Sequence, residues 1–240
     1  MCAKGLNRTQ IKTVAIAAMA IDHTALFLLG PSKHPELLPL YMLMRTIGRL
    51  TGPAMFFFLA EGFCHTSSRE KYALRLLVFG LISQLPYALV HAQCPALADY
   101  NVILTLFLSC LMLTAAERIE NRWLNAAAVF TLILLSFPFD WGMLGPLMTW
   151  FFWRNRENRR LQRRFYALLC MIQVLSCCLY LLQAGQPWYG EIWQIGMFLF
   201  LPFLSLYNGE PGRKGFFGKW AFYLFYPAHL FVFWLILRTG

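Results

Sequence analysis

An acid and an imidazole, Asp22 and His23, stand side by side inside the apolar run IKTVAIAAMAIDHTALFLLG (11–30), with Lys12 near its start. On a helix, eleven residues make about three turns, so Lys12 and His23 share a face roughly 16 Å apart along the axis. A neutral imidazole in that position can act as a general base. Asp22 points about 100° away from His23, which suits it to pair with a cation on a neighbouring helix. Two such cations, Arg45 and Arg49, lie four residues apart in LPLYMLMRTIGRLTGPAMFFFLAEGF and face the same way. Glu61 and His65 follow at the end of that segment, and His229 lies in FYPAHLF. Ionisable groups in apolar segments are costly and mark function by default. The plainer alternative is a neutralised structural pair of Asp22 with Arg45 or Arg49, and histidines hydrogen-bonded within a bundle.

The elements that must position these groups follow from composition. The chain has 240 residues, of which 59% are hydrophobic and 13% charged, where a soluble domain carries about 25% charged residues. Nine apolar segments recur, at about 11–30, 39–62, 72–91, 100–116, 123–137, 140–153, 165–184, 190–207 and 219–237. This pattern predicts an all-α polytopic transmembrane bundle of about nine spans, in one domain over 1–240. The fifth and sixth segments are short for a span and must tilt, thin the bilayer or re-enter. Strict two-residue alternation is absent, against a membrane β-barrel. The first apolar run resembles a signal peptide, but Asp22-His23 interrupts it and no clear small-residue cleavage site follows, so it is read as a retained span.

The charges set the orientation. With nine spans, seventeen of the 21 Lys and Arg residues fall on one side, and only Lys33 and Arg238 on the other. That split predicts a cytoplasmic N-terminus and an external C-terminus. It also explains the net charge of +10 without nucleic acid. The basic run RNRENRRLQRR (154–164) reads as an anchor on anionic lipid or as a dock for a polyanion such as a nucleotide phosphate. In this topology His23, Arg49 and His229 each lie roughly 15 Å deep, near the midplane. Gly52-Pro53 is expected to kink or break the second segment. SQLPY (83–87) reads as a proline-kinked helix end, YNGEPGRKG (207–215) as turns, and Asn101 as the N-cap of the fourth span. The seven cysteines, mostly in apolar runs and without a C-x-x-C, read as small buried hydrophobes, and no metal is expected.

Taken in order, IKTVAIAAMAIDH, MRTIGRLTGPAMFFFLAEGFCHTSSREKYALRLL, NVILTL, YNGEPGRKG and FYLFYPAHLFV resemble the TraX family. That family is named for the conjugative pilin acetylase and is related to the membrane-bound acyltransferase-3 superfamily. The likeness runs from about 11 to 235 and is thin over 120–205. It implies acetyl-CoA as donor and an amine or hydroxyl as acceptor. The superfamily's basic or polar residue, separated by ten residues from a first-span histidine, is matched by Lys12 and His23, and its paired arginines before a proline by Arg45 and Arg49 before Pro53. The resemblance thus implies a catalytic His23, with the arginines supporting the acyl group or coenzyme A. Tyr226 and His229 fall in its last motif. Gln84 departs from the pattern, where an acidic residue is expected before Leu-Pro.

The expectation is an acetyl-CoA-dependent transferase of the bacterial cytoplasmic membrane. His23, Asp22 and Arg49 form the catalytic set. Lys12, Arg45, Lys71 and Arg75 (or the 154–164 run) hold coenzyme A from the cytoplasmic face. Glu61, His65, Asn101, Tyr226 and His229 support the substrate. The acceptor is an amine, with a glycan or small-molecule hydroxyl as the alternative. A proton-coupled transporter and a non-catalytic scaffold are the rivals from other classes; the absence of an inverted repeat weighs against transport. The lipid bilayer is the evident partner, and a homo-oligomer is compatible with the sequence.

Overall fold

The computed structural model describes residues 5–32, 34–92, 98–212 and 216–239, with side chains of the last stretch from 220 onward. Lys4, Lys33, Arg213, Lys214, the Lys219 side chain, Cys2 and Cys94 lie outside the described residues. The described secondary structure is helical. The α-helices are α1 (Arg8–Leu28), α2 (Leu38–Gly48), α3 (Thr51–His65), α4 (Arg69–His91), α5 (Val102–Arg118), α6 (Arg122–Leu135), α7 (Leu144–Arg154), α8 (Arg159–Gln183), α9 (Phe200–Leu206) and α10 (Phe216–Thr239). A 3₁₀ helix, Ile192–Leu199, leads into α9.

Among the described residues, four helices are long and apolar enough to cross a bilayer: α1, α4, α8 and, within α10, Trp220–Thr239. Exposed Leu168, Met171, Ile172, Leu175 and Leu179 on α8 suit a lipid surface. The other apolar segments form shorter elements. At 1.5 Å per residue, α6 rises about 21 Å and α7 about 16 Å, both short of a hydrocarbon core near 30 Å.

The break in the second segment falls earlier than Gly52-Pro53. α2 ends at Gly48, with Arg49 as its cap, and α3 begins at Thr51. Pro53 is then the third residue of α3, where a backbone donor has no partner within the helix and its loss costs little. The start of α3 is fixed to α1 by Thr51, whose hydroxyl donates to the Ala15 carbonyl at 3.1 Å. Pro86 likewise sits inside α4 rather than at its end.

The chain divides into two compact units, Met1–Ala54 with Asn155–Phe222, and Met55–Arg154 with Tyr223–Gly240. In the first, α1 opens with a capping box in which Asn7 and Gln10 each satisfy the other's backbone amide. The 207–212 turn anchors that end: Leu6 donates to the Leu206 carbonyl, Asn208 to that of Leu6 and Arg8 to that of Glu210. In the second unit, α4 and α5 run side by side. Arg69 forks onto Glu117 at 3.1 and 3.2 Å, and Arg118 reaches Glu70 at 2.9 Å. Cys110 and Cys170 are buried, as expected of small hydrophobes, whereas Cys64, Cys177 and Cys178 are only half-buried.

Candidate active site

Asp22 is buried at 6% exposure in the middle of α1. Nothing apolar around it could offset the desolvation of a carboxylate, so its charge needs partners. The structure supplies two. Arg45 Nη1 lies 2.9 Å from Oδ1, and Arg49 Nη2 lies 2.9 Å from Oδ2. The four-residue spacing on α2 brings both guanidiniums to one carboxylate. Gly48 makes the approach possible, because a Cβ there would overlap the Asp22 side chain.

Both guanidiniums also meet an aromatic ring. Trp193 lies beneath them, its ring centroid 4.2 Å from Arg45 Cζ and 4.7 Å from Arg49 Cζ. Such stacking is favourable, more so away from water, and Trp193 is buried at 8% exposure. Nothing in the sequence singles it out, since it is one of eight tryptophans and sits in an apolar stretch.

His23 is half-buried on the same turn of α1, and its ring packs at 5.4 Å against Phe27, one turn on. Lys12 lies nearer the helix start, with its ammonium 5.7 Å from the Phe222 ring. In the same unit the arginine run opens α8. No acidic side chain stands in that helix's first turn, a position where the helix dipole favours negative charge. Arg163 bonds Ser205, and Arg159 bonds Gln162, whereas Arg160 and Arg164 are exposed.

The other sequence candidates belong to the second unit. Lys71 is exposed on α4. Arg75 is half-buried between the rings of Tyr72 and Tyr223, at 5.1 and 5.8 Å. Glu61 and His65 approach only to 4.0 Å, with His65 largely exposed. His229 is buried, stacked on Phe225 at 4.6 Å and met edge-on by Tyr226 and Phe233. Its Nδ1 lies 2.8 Å from the Phe225 carbonyl. In the neutral ring that contact places the proton on Nδ1 and leaves Nε2 as the acceptor. Tyr226 is buried against the backbone of Val102 at the start of α5.

Asn101 does more than cap. Its Oδ1 accepts from the Ile103 and Leu104 amides, while Nδ2 donates to the Gly80 carbonyl and to Gln84 Oε1. Gln84 in turn donates from Nε2 to the Asp99 carbonyl. A carboxylate at 84 could accept but not donate, so the amide that departs from the expected acid fits this network. Asn101→Ala is expected to destabilise the protein by about 1–3 kcal/mol, from a lost cap and stranded buried partners. Thermal unfolding in detergent checks this value.

The family model described as TraX protein matches residues 7–237. A probable fimbrial assembly protein FimC, serogroup H1, of Dichelobacter nodosus is 33% identical over 229 residues, covering 92% of this chain and 91% of that protein. An uncharacterized protein of Rickettsia prowazekii is 25% identical over 135 residues, or 56% of this chain and 48% of that one. No solved structure matches.

Proposed function

Because this chain belongs to the TraX family, we propose that it is a membrane-embedded acetyltransferase that moves the acetyl group of acetyl-CoA to an acceptor amine. The observation that carries this reading is the buried carboxylate of Asp22, shared by Arg45 and Arg49, beside His23 on the same helix. The reading includes the kinship to the acyltransferase-3 superfamily implied by the Lys12–His23 and Arg45–Arg49 spacings.

Acetyl-CoA supplies an activated acetyl thioester. In the proposed reaction the amine nitrogen forms a bond to the acetyl carbon, the carbon–sulfur bond breaks, and coenzyme A leaves as the thiol. His23 takes the proton that the amine loses and returns it to the departing sulfur. Arg49 faces the charge that develops on the carbonyl oxygen. Asp22, Arg45 and Arg49 together carry one positive charge, the sign that such an oxygen needs, and a fixed charge in a dry site stabilises it without reorganisation. Asp22 keeps Arg49 in place.

The donor's phosphates require cations. Exposed Arg160 and Arg164 on α8 and exposed Lys71 on α4 suit them. Lys12, in the unit that holds Asp22, and Arg75, in the other unit, are further candidates, although each also contacts aromatic rings. Glu61, His65, Asn101, Tyr226 and His229 remain proposed supports for the acceptor. The proposed setting is the bacterial cytoplasmic membrane, with nine crossings, a cytoplasmic N-terminus and 1–240 acting as one domain. The fimbrial assembly role in the name of the Dichelobacter nodosus relative favours a pilus subunit's amino terminus as the first acceptor to test.

The test is release of free thiol from acetyl-CoA by detergent-purified protein, with pilin N-terminal peptides, amino sugars and hydroxyl compounds as acceptors. Release that rises with an amine, together with acetylated product by mass spectrometry, is the expected result. Release that rises only with hydroxyl compounds would move the reading to O-acetylation. Absence of both acetyl-CoA binding and turnover would overturn acyl transfer and favour transport.

A further inference from the structure

A carboxylate shared by two arginines fixes each guanidinium along one edge and leaves its plane free to swing. Arginine has a long side chain with large rotamer freedom, so an edge contact alone orders it incompletely. Here each guanidinium has a second contact, because the Trp193 ring centroid lies within 5 Å of both Cζ atoms. We infer that Trp193 is the positioning residue of the Arg45–Arg49 pair, a single indole platform that sets the orientation of both guanidiniums toward the reacting group.

The platform is itself held firmly. Trp193 lies on the 3₁₀ helix Ile192–Leu199, which is eight residues long. Runs beyond 3–4 residues are uncommon because the hydrogen-bond geometry is poor, so this one must be held from outside. Two neighbours hold it. From α8, the buried Tyr166 hydroxyl donates to the Met197 carbonyl at 2.5 Å. From α2, the backbone of Thr46 closes on Gly196, and a Cβ at 196 would overlap it. Thr46 directly follows Arg45, so the close approach that seats the 3₁₀ helix also sets the distance between the indole and the arginine beside that contact. Gln194 donates to Glu191, the residue just before this element, at 3.2 Å. The chain thus ties α1 through Asp22, α2 through the arginines and Gly196's contact, and α8 through Tyr166 into one rigid setting around the guanidiniums. Catalytic groups need that kind of support, since small displacements of an oriented charge cost large factors in rate.

The kinetic arm of the test rests on the acyl-transfer reading, and a labelling arm stands apart from it. Trp193→Phe keeps an aromatic face and is expected to hold kcat within about three-fold. Trp193→Leu removes the face while keeping an apolar side chain. It is expected to lower kcat by about ten-fold or more with the KM for acetyl-CoA changed less than about three-fold, since positioning acts on the reacting group rather than on donor binding. The second arm measures modification of Arg45 and Arg49 by a dicarbonyl reagent, read by mass spectrometry. Both arginines are expected to react faster in Trp193→Leu than in wild type, with Trp193→Phe close to wild type. Unchanged kcat and unchanged labelling in Trp193→Leu would overturn the inference. So would equal losses in both variants that track a common drop in melting temperature, because that outcome marks simple packing. If the wild-type protein releases no thiol, the acyl-transfer reading fails and labelling decides alone: faster modification in Trp193→Leu supports the platform, and equal modification overturns it.

Discussion

His23→Ala is expected to lower acetyl-CoA turnover by about 10²–10⁴-fold, the range that a positioned general base contributes, while the protein stays folded. The ring is half-buried and packs on Phe27, whereas the charge cluster beside it is built from Asp22, Arg45 and Arg49. Removing the imidazole therefore leaves the carboxylate and both guanidiniums in place. Thiol release and thermal unfolding, measured on the same preparation, separate the two effects. Near-wild-type turnover by folded His23→Ala would end the general-base assignment. A parallel collapse of turnover and folding would identify His23 as a structural residue.

Asp22→Ala is expected to act in the opposite sense, chiefly on stability, with a loss of about 3–5 kcal/mol. The carboxylate pairs with two guanidiniums whose side chains are 8% and 15% exposed. Its removal leaves two like charges face to face in an apolar setting. Arg45→Met is expected to cost less, because it leaves one acid opposite one base. Combining Asp22→Ala with Arg45→Met and Arg49→Met should recover part of the stability lost in the single variant, since no stranded charge remains. Unfolding in detergent or graded sodium dodecyl sulfate gives the ranking. A milder loss in Asp22→Ala than in Arg45→Met would mean that the carboxylate does not hold the arginines.

These effects trace back to features that the sequence shows unevenly. The Asp22 pairing is legible because an intramembrane acid has few affordable states and Arg45 and Arg49 repeat at a helical spacing. The Asn101 cap is legible for a similar reason, a short polar side chain opening an apolar run. The rest of its network depends on where α4 passes, and no local pattern encodes that the Gly80 carbonyl and Gln84 will meet it. A proline marks a helix break in one segment, to within a turn, and no helix end in the other. Pro53 occupies a turn that tolerates the missing donor, and Pro86 is carried within α4. Trp193 is invisible beforehand because its role comes from contact with residues far away in the chain.

The shared carboxylate also bears on how the chain is made. Asp22 precedes Arg49 by 27 residues, which a ribosome adds in about 1–5 s at 5–20 residues per second. A lone acid at the centre of a helix costs about 2.5–3.5 kcal/mol to place in a bilayer. During that interval α1 is therefore a reluctant guest in lipid, and its arginine counterparts become available only as α2 follows. The two helices are expected to partition from the translocon together, as a hairpin in which the acid already faces both arginines before it meets the hydrocarbon.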